Sequence, residues 1–433
     1  MTSILRSGAA MVLGVVIFVG FLFFLILNNF SDKLLSADFY NDTIAAEDTY
    51  NRIYDEVLVD EELLDKTEEF LGDIQVVNHQ DIVDLMREIM PPAYIQAQVE
   101  AAIERTIAYV NEDVDELDVY VELAEPLRNV KTVMFAYIDG RIDELLVEDP
   151  KILAGLTGCL PNELQELSDR YEEKFNQLAE GTVPKEIPSL EEIPELCRAP
   201  LFDILFPSLV SESSLSDETK QNLRDKQGAL RKPFVAGETL EMLKVAARPL
   251  AEPLMDDAIG RVREDLSEGD RFDLIRQLAA WDPDTTEAQL RADLDEGREW
   301  VSRARSFGEL TTLVMVIGGA IVMGLVFLPT LTGMLRWPGI ALLITGAFFF
   351  VAGKIAESEV PKRLADVIET GADQVSGVPP SVTDLGGDIL ISFGSQLTDG
   401  FTGPSLTLLI IGAILFGASF FTIIIKRFIP IVK

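Results

Sequence analysis

The stretch LTTLVMVIGGAIVMGLVFLPTLTGMLRWPGIALLITGAFFFV, Leu310 to Val351, decides the fold. It holds two charge-free runs, Leu310 to Leu328 and Trp337 to Val351, joined by Pro329-Thr330-Leu331-Thr332-Gly333-Met334-Leu335-Arg336. A hydrocarbon core takes roughly 20 helical residues to cross, and the link is long enough only for a turn. The stretch therefore reads as a transmembrane helical hairpin. Two further apolar runs, Gly8 to Leu27 and Ser405 to Ile425, bring the expected number of spans to four.

Outward from the hairpin the composition changes sign. The 433-residue chain carries a formal net charge of −36 although 48% of it is hydrophobic. Segregation resolves the contrast, because 63 of the 72 acidic side chains lie between Phe30 and Gly308. Lys and Arg beside a span stay on the cytoplasmic side far more often than they cross. If four helices alternate, Arg6, Arg336, Lys426, Arg427 and Lys433 fall on one side, where the sequence has no Asp or Glu. Arg303 and Arg305, just outside the second span, run against the pattern. The expected arrangement is a plasma-membrane protein with both termini cytoplasmic: helix 1 over 1–29, an acidic extracytoplasmic domain over 30–308, the hairpin over 309–354, a second outer loop over 355–403, and helix 4 with a short tail over 404–433. The first span reads as an uncleaved signal anchor, since its apolar core exceeds the usual ~7 to 15 residues and no small-x-small site follows at Asn28-Asn29-Phe30.

The acidic domain reads as helical, making the fold class all-α. Apolar positions recur at helical spacing over 44–71, 82–89, 95–110 and 127–145, and further helices are expected over 162–178, 216–228, 240–263, 272–281 and 286–306. The last has no breaker except Gly297 before the second span, so domain and membrane helix form one rod. Val119-Tyr120-Val121 reads as extended. Leu201 to Val210 (LFDILFPSLV) is assigned to the domain core. A 156-residue shift superposes Met86, Ile89 and Ile103 on Met242, Val245 and Ile259, a weak signal of a duplicated helix pair. In the second loop Ile389, Phe393, Leu397 and Phe401 form a stripe expected to pack under the large domain. Cys159 and Cys197, both on the outer side, are expected to form a disulfide.

Little in the sequence points to chemistry. The span interiors lack charged residues and Pro, which argues against an ion or substrate pathway within this chain. His79 is the only histidine, so a multi-histidine metal site is excluded within one chain and a Ser-His-Asp arrangement would have to use it. Neither a Walker pattern nor a GxGxxG after a strand occurs. The metal candidate is calcium: Asn111, Asp113, Asp115 and Glu122 occupy the first, third, fifth and twelfth places of an EF-hand-like loop, although Glu116 stands where the turn wants Gly. No cofactor is expected. Small residues four apart (Ala10 and Gly14, Ala320 and Gly324, Ala341 and Thr345, Ala413 and Gly417) suggest close helix packing or a homo-oligomer. An acidic domain repels nucleic acid and favours basic protein partners or cations. The sequence thus reads as a non-catalytic envelope protein in contact with membrane lipid, acting as scaffold, adhesion or junction element, or accessory subunit. The alternative is an extracytoplasmic sensor or receptor coupled through the helix entering the second span.

Overall fold

The computed structural model describes residues 2–60, 79–147, 173–174, 177, 186–213, 215–264, 266–281, 285–328, 330–372 and 379–428. In chain order the helices are α1 (Thr2–Asn29), α2 (Ala37–Ala46), α3 (Thr49–Arg52), α4 (His79–Ile89), α5 (Pro92–Val110), α6 (Ala124–Asp143), α7 (Glu195–Glu212), α8 (Asp217–Asp225), α9 (Gln227–Ala236), α10 (Thr239–Glu264), α11 (Leu274–Trp281), α12 (Glu287–Val326), α13 (Leu331–Ala372) and α14 (Pro380–Phe428). Strands are confined to β1 (Tyr120–Glu122), β2 (Leu146–Val147), β3 (Glu186–Ile187) and β4 (Arg271–Asp273) among the described residues. The fold is all-α, and β1 confirms the short extended run. The chain divides into two units, Met1–Val57 with Gln96–Tyr120 and Leu274–Lys433, and Leu58–Ile95 with Val121–Asp273.

The first unit is built on four long helices. α1 and α12 run antiparallel: Gly308 faces Leu27, Gly20 faces Met315 and Val316, and Gly319 faces Ile17. α12 turns at Phe327 to Thr330 into α13, and α13 and α14 form a second antiparallel pair. Ile17, Phe21 and Leu25 of α1, Val316 and Met323 of α12, Leu342 and Phe349 of α13 and Leu408 of α14 make the bundle core. The outward side chains, such as Met11, Val15, Ile321, Ile344 and Ile414, are exposed and apolar, as lipid contact requires. Buried hydroxyls satisfy themselves locally, with Thr312 donating to the Gly308 carbonyl (2.7 Å) and Ser405 to that of Phe401 (2.6 Å).

The count of spans needs correcting. Among the described residues three helices are long and apolar enough to cross a membrane, over Gly8–Leu34, Thr332–Ile368 and Pro380–Phe420, not four. The apolar part of α12, Thr311–Val326, is shorter, about 24 Å at 1.5 Å per residue against the ~30 Å of a hydrocarbon core. Its polar N-terminal half begins early, at a capping box of Thr286 and Gln289, and the helix passes through Gly297 unbroken for 40 residues. The rod expected from the sequence is thus present.

The second outer loop is not a loop for most of its length. α13 and α14 carry on beyond their apolar segments, with Gly394 against Leu364 and Gly387 against Ile368. Their seam is made by glycines seven residues apart. A β-carbon at Gly339 would sit 2.6 Å from the Phe416 backbone nitrogen, and one at Gly346 or Gly412 would sit 2.7 Å from the Cα of Leu409 or Leu343. No side chain fits there, so the two backbones touch. The small pairs four apart contribute less, since Gly14 and Gly417 have no neighbour within 4 Å. The aromatic stripe of α14 packs on the segment following α1: Phe393 lies 5.3 Å from the ring of Phe39 and 5.5 Å from that of Tyr40, and Phe401 joins the bundle core. Arg52 pairs with Asp388 at 3.0 Å, and Gln396 donates to Thr43 at 2.7 Å.

The second unit packs side chains conventionally. Leu190, Ile193, Cys197, Leu201, Phe202, Val210, Leu223, Leu230 and Phe234 form one core, so Leu201, Phe202 and Val210 are buried as the sequence suggests, whereas Ile204 of the same stretch is 56% exposed. Ile142, Ile187 and Leu243 form another. α6 and α10 are tied by Lys131–Asp256 (2.6 Å), Lys244–Asp143 (2.6 Å) and Arg248–Asp139 (3.0 Å). β2 and β3 pair in parallel. The duplicated helix pair does not recur: α10 runs through Pro249 and Pro253 as one helix, whereas the chain breaks between α4 and α5 at Met90 and Pro91. Cys159, the helix expected over 162–178 except for residues 173–174 and 177, and the apolar positions Leu63, Leu64, Phe70 and Leu71 lie outside the described residues. Cys197 is buried in the core.

Candidate functional site, an arginine ladder on the helix entering the bundle

Tyr109, at the end of α5, anchors the turn that follows it. The amides of Asn111, Glu112 and Asp113 donate to the carbonyls of Ile107, Tyr109 and Ala108, which closes the helix, and Glu112 adopts a left-handed φ of 65°. The chain then offers a row of backbone carbonyls to α12. Three arginines of α12, spaced two turns apart, meet this turn, two of them at its backbone carbonyls. Arg291 donates to the Leu117 carbonyl at 2.8 Å, Arg298 to the carbonyls of Val114 (2.8 Å) and Asp115 (3.2 Å), and Arg305 to the Asn111 side-chain oxygen at 3.2 Å. The Asn111 amide in turn donates to the Leu35 carbonyl at 3.1 Å, reaching the segment beyond α1.

Beneath the ladder lies a small core of Ala102, Tyr109, Leu117, Val119 and Ile275, against which Leu290 and Leu294 of α12 pack. The guanidinium of Arg298 stands 4.6 Å from the centre of the Tyr109 ring, and the Tyr109 hydroxyl donates to Asp295. Burial, together with the bond to and the charge of Asp295, raises the Tyr109 pKa, while Arg298 opposes the shift. Arg105 stacks 3.9 Å over Tyr120 and donates to its carbonyl at 3.0 Å. Planar guanidinium groups suit this work, since each supplies several fixed donors and a face for an aromatic ring.

Of the four residues expected to hold calcium, Asn111 has its oxygen bonded to Arg305, Asp113 and Asp115 are exposed on the turn, and Glu122 lies in β1 within the second unit. Among the described residues no group of three or more His, Cys, Asp or Glu is placed to hold a metal ion. The Leu117 carbonyl, the backbone oxygen such a loop would offer at its seventh place, is turned instead to Arg291. His79 opens α4. The ladder escaped the sequence reading, although arginines at seven-residue spacing on one helix were its visible signal. It also accounts for Arg305, and Arg303 pairs with Glu299 at 2.5 Å on the same helix.

The arrangement has a mechanical consequence. The turn after α5, the segment after α1 and the rod of α12 are fixed to one another immediately outside the apolar part of the bundle. No protein-family model, curated protein or solved structure matches this chain.

Proposed function

We propose that this chain is a non-catalytic integral membrane protein of the cell envelope, serving as a scaffold, adhesion or junction element, or accessory subunit of a membrane complex. The observation that carries the reading is the continuity of the long helices: α12, α13 and α14, of 40, 42 and 49 residues, each leave the apolar bundle without a break. Long unbroken helices that extend past an apolar bundle suit binding to a partner better than they suit turnover. In this reading α12 is a fourth, short span, because it lies beside α1 from the Gly308–Leu27 contact to the Gly319–Ile17 contact. The large domain is extracytoplasmic and the ends carrying positions 6, 336, 426 and 427 are cytoplasmic, with a Cys159–Cys197 disulfide outside.

Cross-linking and pulldown from native membranes test the proposal. A stoichiometric membrane partner or a defined homo-oligomer is expected, and a monodisperse monomer with no partner would overturn it. Reporter fusions after Met334 and after Ser376 should give cytoplasmic and external signals, respectively. A second reading, a sensor whose external domain moves α12, is favoured by the arginine ladder alone. A calcium-dependent rise in melting temperature that disappears in Asp113→Ala plus Asp115→Ala would select it over the first.

A further inference from the structure

α14 leaves the apolar bundle through Asp399-Gly400-Phe401-Thr402-Gly403-Pro404-Ser405, and although the helix is continuous there, the residues suit a helix poorly. Pro404 has no N–H, so the ladder bond that the Gly400 carbonyl would accept is missing. Packing explains Gly400, because a β-carbon there would collide with the side chain of Asn29. It does not explain Gly403, where a β-carbon would meet nothing within 4 Å. Around the proline, alternate carbonyls of α14 accept from side chains. Thr398 donates to the carbonyl of Ser395 (2.7 Å), Thr402 to that of Asp399 (3.0 Å), Ser405 to that of Phe401 (2.6 Å) and Thr407 to that of Gly403 (3.1 Å). The Leu397 carbonyl takes the side-chain amide of Asn29, from α1, at 2.6 Å. Side-chain donors of this kind bend a helix, and they keep its carbonyls satisfied where ladder bonds open. Gly and Pro mark the places where long helices kink.

The two halves of α14 are held differently. On the bundle side, Gly346 and Gly412 bring the α13 and α14 backbones into contact, so that half cannot move alone. On the polar side the glycines Gly387 and Gly394 meet only the side-chain ends of Ile368 and Leu364, which can give way. The polar half is held instead by the segment that follows α1. Gln396 donates to Thr43 at 2.7 Å, Phe393 packs on Phe39 and Tyr40, and Arg52 pairs with Asp388 at 3.0 Å. Asn29 begins this strap; it is 6% exposed, and its Oδ1 is buried with no hydrogen-bond partner among the described residues. Such a placement costs free energy. We infer that residues 400–404 are a hinge in α14, about which its polar half tilts against the bundle, and that Asn29 with the 37–52 segment is the strap that holds the hinge closed. This device depends neither on which face of the membrane is external nor on the partner proposed above.

The test uses the full chain in detergent, with spin labels attached by chemistry that spares the cysteines at two exposed positions, Leu390 of α14 and Ile321 of α12. Pulsed electron paramagnetic resonance reads the distance between them. Wild type should give one narrow distribution, and Asn29→Ala with Gln396→Ala should widen it about twofold as the strap lets go. Adding Gly403→Ala and Pro404→Ala should restore the wild-type width, since the hinge itself is then stiff. A strap variant as narrow as wild type overturns the inference. So does widening that survives the two hinge substitutions, which would mean that α14 peels away as a whole. Should these variants lose helix content, amide exchange in the unmodified chain decides the matter. Residues 401–407 should exchange at least about tenfold faster than residues 388–395, although they lie nearer the apolar slab, and equal or slower exchange there overturns the hinge.

Discussion

Two ladders in the first unit share one period and differ in everything else. Gly339, Gly346 and Gly353 repeat every seven residues along α13, and Arg291, Arg298 and Arg305 do the same along α12. Seven residues are close to two helical turns, so each set stays on one face. Inside the apolar slab no hydrophobic force drives helices together, since lipid is as apolar as any side chain. Contact there comes from close approach, and the smallest residue wins. Outside, carbonyls of the turn after α5 must be taken from water, and the residue with the most donors wins. The same helical geometry is thus read by the solvent in opposite ways, by deleting a side chain in one place and by extending it in the other.

The sharpest way to break this comparison is to put bulk into the glycine ladder. In Gly346→Leu the new side chain would meet the backbone of Leu409, which cannot swing aside as a flexible side chain can. The expected loss reaches the exceptional class for one substitution, above about 4 kcal/mol, with separation of α13 from α14. Unfolding in detergent, followed by far-ultraviolet circular dichroism, measures it. Gly14→Leu and Gly417→Leu, where nothing lies within 4 Å, should stay within about 0.5 kcal/mol of wild type. Equal losses at Gly346 and Gly417 would mean that the seam lies elsewhere.

Removing the middle rung of the other ladder should have a smaller effect. Arg298→Ala deletes two hydrogen bonds to carbonyls and the contact with Tyr109, and about 2 kcal/mol is expected. Arg298→Lys keeps the charge but loses the fork, so it should recover less than half of that. Amide hydrogen exchange locates the effect: residues 111–118 should exchange faster in both variants while residues 339–353 do not change. Coupled acceleration in both regions would show that the two ladders form one cooperative element.

The sequence made some of this legible and hid the rest for identifiable reasons. Hydrophobic runs and helical periodicity gave the all-α class, the α12 rod and the core position of Leu201 and Phe202, because burial writes itself into composition over many residues. The run Leu310 to Leu328 reads as a full-length span because it is apolar whether its neighbours are lipid or protein, whereas the apolar helix there covers only Thr311–Val326. The glycine seam is not legible in pairs of small residues four apart, because the α13–α14 contacts recur at seven. Asn111, Asp113 and Asp115 looked like cation ligands because acidic turns resemble one another in one dimension. Which oxygens face Arg298 is decided by backbone carbonyls, and these carry no residue-type signal.

A last, smaller effect separates two tyrosines that each donate to an aspartate. Tyr137 donates to Asp81 at 2.6 Å, and burial, with that bond and the Asp81 charge, pushes its pKa up from 10.0 to about 12. Tyr109 is raised by the same causes, and a guanidinium opposes the shift at each, Arg141 at Tyr137 and Arg298, over the ring, at Tyr109. Because the folded state favours neutral Tyr137, its contribution is complete below pH 10 and is lost as the pH rises through about 12. Tyr137→Phe should cost about 1 kcal/mol at neutral pH, the worth of one hydrogen bond, and the difference from wild type should vanish across that alkaline window. Phenolate absorbance should show Tyr109 ionising before Tyr137, and Arg298→Ala should move Tyr109 upward while leaving Tyr137 in place. A Tyr109 that does not move would mean that the guanidinium above its ring serves the carbonyls of Val114 and Asp115 alone.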